Sequence, residues 1–266
     1  MPLPAPSERS TALVTGASSG IGADIARELA ARGHGVSLVA RRRERLAELA
    51  AELADRHSIR AEVFACDLAD GAARAELAAG IEAAGLTVST LVNNAGFGGH
   101  GDFVETEEGW DVRMVRLNVE AVTDLLATHL PAMVDRGEGA VVNIASTAAF
   151  QPMPGSATYA ATKAFVLSQG EALHQELKGT GVTATTVCPG PVKTEFAEVA
   201  GIGELAETAP ELAWMTPDQI AKAAIEGVEK GSRVVVPGRF NRAGGLAGRH
   251  LPRALVLPAL ERAWNR

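Results

Sequence analysis

The sequence predicts an α/β fold: one domain built on a doubly wound, parallel, seven-stranded sheet with helices on both faces. Three observations predict it. Short apolar runs alternate with longer stretches whose apolar residues recur at helical spacing. The first run ends in a glycine-rich turn that opens one of those helical stretches. The 266 residues, 47% hydrophobic and 21% charged, suffice for one substantial core and exclude a mostly disordered chain.

Residues 11–15 (TALVT) form the first apolar run, closed by Gly16. Ile21, Ile25 and Leu29 then fall four apart on one helix face, and Gly33 and Gly35 end that helix. Residues 36–40 (VSLVA) read as the second strand, and Leu46, Leu49 and Leu53 mark the next helix. Strands follow at 61–66, 88–92, 140–145, 182–187 and 234–236. Residues 71–84 are alanine-rich and helical, and 157–178 form a long helix. Thr216 precedes Pro217 as an N-cap precedes a first-turn proline, so a further helix starts there. Right-handed crossovers wind such a sheet on both faces.

The net charge of -7 argues against a nucleic-acid binder, because phosphate contact needs a basic face. Cys66 and Cys188 are too few for a disulfide framework, so reduced thiols and a cytoplasmic location are expected. Residues 1–9 carry three prolines and no apolar core, and are expected to be a flexible arm rather than a signal peptide. No run of about 20 apolar residues is long enough to span a membrane. The six histidines show no metal-ligand spacing, so no metal is expected.

Residues 237–266 stand apart. Six arginines and one glutamate give them +5 while the rest of the chain carries -12. Pro252 and Pro258 should interrupt any long helix, and Leu251, Leu255, Leu257, Leu260 and Trp264 give the tail an apolar side. It reads as a segment that packs on the body or on another subunit; a foot on a membrane surface is the second reading.

Residues 15–22 read TGASSGIG, between a strand and a helix. Glycine lets the backbone turn tightly and approach a pyrophosphate, and the helix amino end offers unpaired N–H groups. Gly16, Gly20 and Gly22 depart from the usual G-x-G-x-x-G spacing, and the bland alternative is a tight loop. Gly16, Ser18 and Gly20 also match the G-x-S-x-G of hydrolase nucleophile elbows, which keeps a serine hydrolase open as a remote alternative. An NAD-binding turn has a carboxylate about 20 residues on, for the ribose 2′-hydroxyl. Here the second strand runs into Arg41, Arg42 and Arg43, with no carboxylate before Glu44. Guanidinium groups suit a 2′-phosphate, so NADP(H) is the expected cofactor.

These residues, together with Asn93-Asn94-Ala95-Gly96, Ser146, Tyr159-Ala160-Ala161-Thr162-Lys163 and Pro189-Gly190, resemble the short-chain dehydrogenase/reductase family. The resemblance is to its main, non-extended subgroup and runs in order from about residue 10 to 237. It implies a Rossmann-like fold, a catalytic set of Ser146, Tyr159, Lys163 and Asn118, and a small-molecule substrate. Tyr159 and Lys163 are four apart on a helix and share a face, so the ammonium should lower the tyrosine's pKa for proton transfer. Ser146 follows the fifth strand and can donate to the same oxygen. The resemblance further implies that Lys163 meets the nicotinamide ribose and that Asn118 supports a water relay to it. Ser18, Ser19 and Ile21 are placed by it at the pyrophosphate turn, Asp67 and Leu68 at the adenine, and Asn94, Ala95 and Gly96 beside the ribose and nicotinamide. Pro189, Gly190, Val192 and Thr194 are placed at the carboxamide and phosphates.

Residues 150–154, 195–215 and 97–100 should border the substrate, with 195–215 as a lid bearing Phe196, Val199, Ile202, Leu205, Leu212, Trp214 and Met215. No fixed cation in them awaits a carboxylate, which favours an apolar ketone, aldehyde or secondary alcohol; a 3-ketoacyl thioester is the alternative. A non-catalytic dinucleotide-sensing module is the alternative from another class, although Ser146, Tyr159 and Lys163 are all intact. The family also implies a homodimer or homotetramer, with contacts through helices near 118–136 and 156–178.

Overall fold

The computed structural model describes residues 3–196, 200, 201 and 210–264. Seven parallel strands line up in the order β3-β2-β1-β4-β5-β6-β7. They are β1 (Ser10–Thr15), β2 (Val36–Ala40), β3 (Ala61–Ala65), β4 (Thr87–Asn93), β5 (Gly139–Ile144), β6 (Val182–Val187) and β7 (Val234–Val235). The central strands β4, β5 and β6 are buried along nearly their whole length, as a sheet covered on both faces requires.

Successive β1 residues point to opposite faces and seed two cores. Ala12 and Val14 join a core with Ile25, Leu29, Leu46, Leu53, Ile220 and Ile225. These come from α1 (Gly20–Ala31), α2 (Arg43–His57) and the helix Pro217–Glu229. Leu13 joins the opposite core with Leu77, Leu125, Val166 and Leu167. That face is covered by α3 (Gly71–Ala83), α5 (Ala121–Arg136) and α6 (Ala157–Glu176). A short α4 (Trp110–Val115) runs into α5 through a π-helical turn, Arg116–Glu120. Pro217–Glu229 is α7; Thr216 and Gln219 form a capping box at its start, with Pro217 in the first turn.

Strand order reverses between β1 and β4, since β2 and β3 lie to one side and β5 to β7 to the other. At such a switch point the connections diverge and leave a crevice at the carboxyl ends of the strands. The glycine turn after β1 and the loops after β4, β5 and β6 all open there.

Two expectations need correction. Residues 3–9 are not a loose arm: Leu3 packs against the first core, Pro4 is buried, and the Ala5 N–H donates to Glu138. Pro258 does not interrupt the tail, which forms α8 (Arg239–His250) and α9 (Arg253–Trp264), with Pro258 inside α9. A proline removes one intrahelical hydrogen bond, and the break falls instead at Leu251-Pro252, where the residue before proline is held extended. The tail's apolar side is not uniformly sheltered: Leu251 and Leu257 are exposed and Leu260 is half-buried, while the side chains of Leu255 and Trp264 lie outside the described ones.

Candidate active site

The turn after β1 is tied to β4 by the Thr15 hydroxyl. It donates to Val92 O at 2.9 Å and accepts from the Asn94 and Ala95 N–H groups at 2.9 and 3.0 Å. Asn94 returns the link, donating through Nδ2 to Thr15 O at 2.8 Å. Gly16 has φ +67°, and a β-carbon there would stand 2.7 Å from Asn94 Nδ2, so only glycine permits this junction. Ser19 is extended before α1 and makes no side-chain cap, which leaves the first-turn N–H groups facing the crevice. Its hydroxyl instead accepts from Arg42 at 2.8 Å, as Ser18 Oγ does at 3.0 Å.

The crevice is a cavity of about 960 Å³. Most of the expected cofactor residues line it: Gly16, Ser18, Ser19, Gly20, Ile21, Arg41, Arg42, Asp67, Leu68, Asn94, Ala95, Gly96, Pro189, Gly190, Val192 and Thr194. Gly22 does not; it packs against Asn94 behind the turn, where the third glycine of such motifs brings helix and strand together.

Ser146, Tyr159 and Lys163 meet at the opposite end. Ser146 follows β5 and starts a 3-10 turn, accepting from the Ala148 N–H at 3.1 Å. Its hydroxyl lies near enough to the Tyr159 phenol to pull the phenol's pKa downward. Lys163 lies one turn beyond Tyr159 on α6, is buried, and donates to Ile144 O at 2.9 Å. Burial pulls its ammonium down to about 8.

The phenol departs from expectation. Burial pushes Tyr159 up to about 12, against a smaller downward pull from Ser146. The ammonium stands 5.9 Å from the ring centroid, and the Phe196 ring packs 5.6 Å away on the apolar side. Loss of water disfavours the phenolate more than this distant charge favours it. Burial therefore favours the protonated phenol.

Asn118 stands behind the loop after β4, close to the same Gly96 position that Lys163 Nζ approaches. It lies in the π turn, is buried, and does not line the cavity. Its Nδ2 donates to Phe97 O at 2.9 Å and to Thr162 Oγ1 at 3.1 Å, while Oδ1 accepts from the Phe97 N–H at 3.2 Å. It fixes the loop after β4 against α6, behind Gly96.

Several cavity residues were not anticipated. Trp110, Arg113 and Leu117 come from α4 and its π turn, and Phe240, Asn241, Gly244 and Gly245 from the tail helix α8. The tail is thus part of the cavity wall. Gly245 lets α8 approach Phe150, whose ring lies 2.9 Å from where a β-carbon would stand. Buried Asn241 donates to Ala213 O at 2.9 Å, and Arg253 caps α8 at Gly248 O and reaches Phe150 O. Paired glycines inside a helical stretch were the available signal. Of the expected lid, Phe196 and Trp214 line the cavity, Met215 packs against the first core, Leu212 is exposed, and Val199, Ile202 and Leu205 lie outside the described residues. Among the described residues no His, Cys, Asp or Glu cluster could hold a metal, and no helix is long and apolar enough to cross a membrane.

The fold and this cavity define an α/β oxidoreductase of the dinucleotide-binding type. The profile of the short chain dehydrogenase family matches residues 10–204, and the chain belongs to that family. A short-chain dehydrogenase from Sphingobium yanoikuyae, solved in complex with NADPH, is 37% identical with a TM-score of 0.80, over 96% of this chain and 93% of that one. The bulky-bulky ketone specific alcohol dehydrogenase from Comamonas testosteroni is 32% identical with a TM-score of 0.75, over 97% and 93%. Among curated relatives, the granaticin polyketide synthase putative ketoacyl reductase 1 of Streptomyces violaceoruber is 40% identical, over 77% of each chain.

Proposed function

We propose that this protein is an NADP(H)-dependent carbonyl reductase acting on an apolar ketone or aldehyde, reversible as an alcohol dehydrogenase. The observation that carries the reading is the meeting of Ser146, Tyr159 and Lys163 at one end of a cavity whose other end holds an uncapped helix terminus and Arg42. The residues present fit a dinucleotide: a phosphate would meet the α1 N–H groups, and Arg41 and Arg42 suit a 2′-phosphate. A bound nicotinamide supplies or accepts hydride at its C4.

The chain's own groups do the rest. Ser146 donates a hydrogen bond that orients the substrate carbonyl oxygen. Tyr159, protonated across the neutral range, gives its proton to that oxygen. Lys163, charged below about pH 8, stabilises the phenolate left behind and orients the ribose. Asn118 positions the Phe97 loop and, through Thr162, the helix that carries Tyr159 and Lys163.

Phe97, Trp110, Met153, Phe196, Trp214 and Phe240 supply aromatic and apolar wall, which supports a bulky apolar substrate, as does the similarity to the ketone-specific alcohol dehydrogenase. The similarity to a putative ketoacyl reductase supports a 3-ketoacyl thioester as the second reading. Exposed Val112, Val115 and Phe165 on α4, the π-turn junction and α6 support a homo-oligomer. The test is NADPH oxidation with a panel of aryl ketones, aldehydes and 3-ketoacyl thioesters. Turnover of none of them, or turnover undiminished in Tyr159→Phe, overturns the proposal.

A further inference from the structure

Arg42 reaches beyond the glycine turn. While its Nη2 donates to Ser18 and Ser19, its Nη1 donates to Glu195 Oε2 at 2.9 Å. Arg45, one turn of helix further along, donates to Glu195 Oε1 at 2.6 Å. One carboxylate thus bridges two guanidinium groups, an oxygen to each, and it comes from the loop after β6, 150 residues and more along the chain. The two arginines hold the Glu195 carboxyl down at about 2.

The arrangement has the shape of an anion site already filled. Two forks, Arg42 and Arg45, converge on one anion beside the uncapped start of α1; Arg42 and Glu195 line the cavity with Arg41, and Arg45 stands behind them. Four arginines, 41, 42, 43 and 45, crowd the amino end of α2, where the helix dipole opposes positive charge. Among the described residues, Glu195 is the one carboxylate that pairs directly with both Arg42 and Arg45. All three members of the bridge are more than two-fifths exposed, so the bridge is weak enough to be exchanged. A phosphate monoester brings up to two charges and three acceptor oxygens against the carboxylate's one and two.

We propose that Arg42 and Arg45 together form the site for a nucleotide's 2′-phosphate, and that the Glu195 carboxylate occupies it in the free protein until the phosphate displaces it. This rests on the NADP(H) reading above. It adds Arg45 as a phosphate ligand and makes Glu195 a specificity-determining residue. A 2′-hydroxyl cannot displace a bridging carboxylate, so a ligand without the phosphate leaves the bridge standing.

The test is titration calorimetry on the full chain with two probes, adenosine 2′,5′-bisphosphate and adenosine 5′-monophosphate. The wild type is expected to bind the bisphosphate about tenfold more tightly. Arg45→Ala should weaken the bisphosphate about fivefold and leave the monophosphate within about twofold. Glu195→Gln, which removes the competitor and keeps the shape, should tighten the bisphosphate about threefold with the monophosphate unchanged. Glu195→Gln that weakens the bisphosphate or leaves it unchanged overturns the displacement, and Arg45→Ala that touches both probes equally or neither removes Arg45 from the site. Equal binding of the two probes by the wild type instead overturns the NADP(H) reading itself.

Discussion

At the β2 end of the cavity, Arg42, Arg45 and Glu195 are 43–47% exposed and paired with one another. At the β5 end, Lys163 is 5% exposed, and burial is the largest influence on both its ammonium and the Tyr159 phenol. The first end works through charge in water, where each pair contributes little and exchanges easily. The second works by desolvation, which moves a phenol up and an ammonium down far enough to set which of them carries a proton. On the proposed function, one cavity separates recognition, which must be reversible, from proton transfer, which must be tuned.

Substitutions at the buried end should cost most. Tyr159→Phe is expected to lower kcat by about a thousandfold or more, with the NADPH dissociation constant within about threefold of wild type, as measured by fluorescence titration. Comparable losses in both quantities would mean the phenol builds the cavity and does not act in the chemistry. Lys163→Met should cost about a hundredfold in kcat/KM. Because burial sets that ammonium at about 8, wild-type reduction should decline as pH rises through 8, while the phenol, at about 12, keeps its proton throughout. A basic limb in the wild-type profile that persists unchanged in Lys163→Met would assign it to another group.

At the exposed end, Arg42→Ala should weaken NADPH about tenfold and NADH by less than about twofold. Equal effects would erase the contrast between the two ends. The smallest effect is expected at Phe240→Ala in the tail: a rise of about threefold in KM for a bulky aryl ketone, with kcat and NADPH binding unchanged. An unchanged KM would take α8 out of the substrate wall.

Much of this arrangement is legible along the chain because it is local. The strand 11–15, its glycine turn and the helix begun at Gly20 follow from periodicity and turn chemistry within some 20 residues. Tyr159 and Lys163 share a face because one helix carries both. The phenol's pKa was not legible. Its sign depends on Phe196, 37 residues on, and on the depth at which α6 packs. That the tail packs on the body was legible from its apolar side, but not where: Asn241 and Gly245 seat α8 on the cavity wall.

The sequence by itself determined the order of strands and helices, the turn after β1, the helical pairing of Tyr159 with Lys163, and the family. All of these are encoded in spacing along the backbone. Only the tertiary structure decided that burial raises the Tyr159 phenol's pKa, that Asn118 ties the Phe97 loop to α6, that α8 closes the wall, and that Glu195 bridges Arg42 and Arg45. Each of those turns on water excluded, or charge brought near, by residues remote in the chain, and no local pattern carries that information.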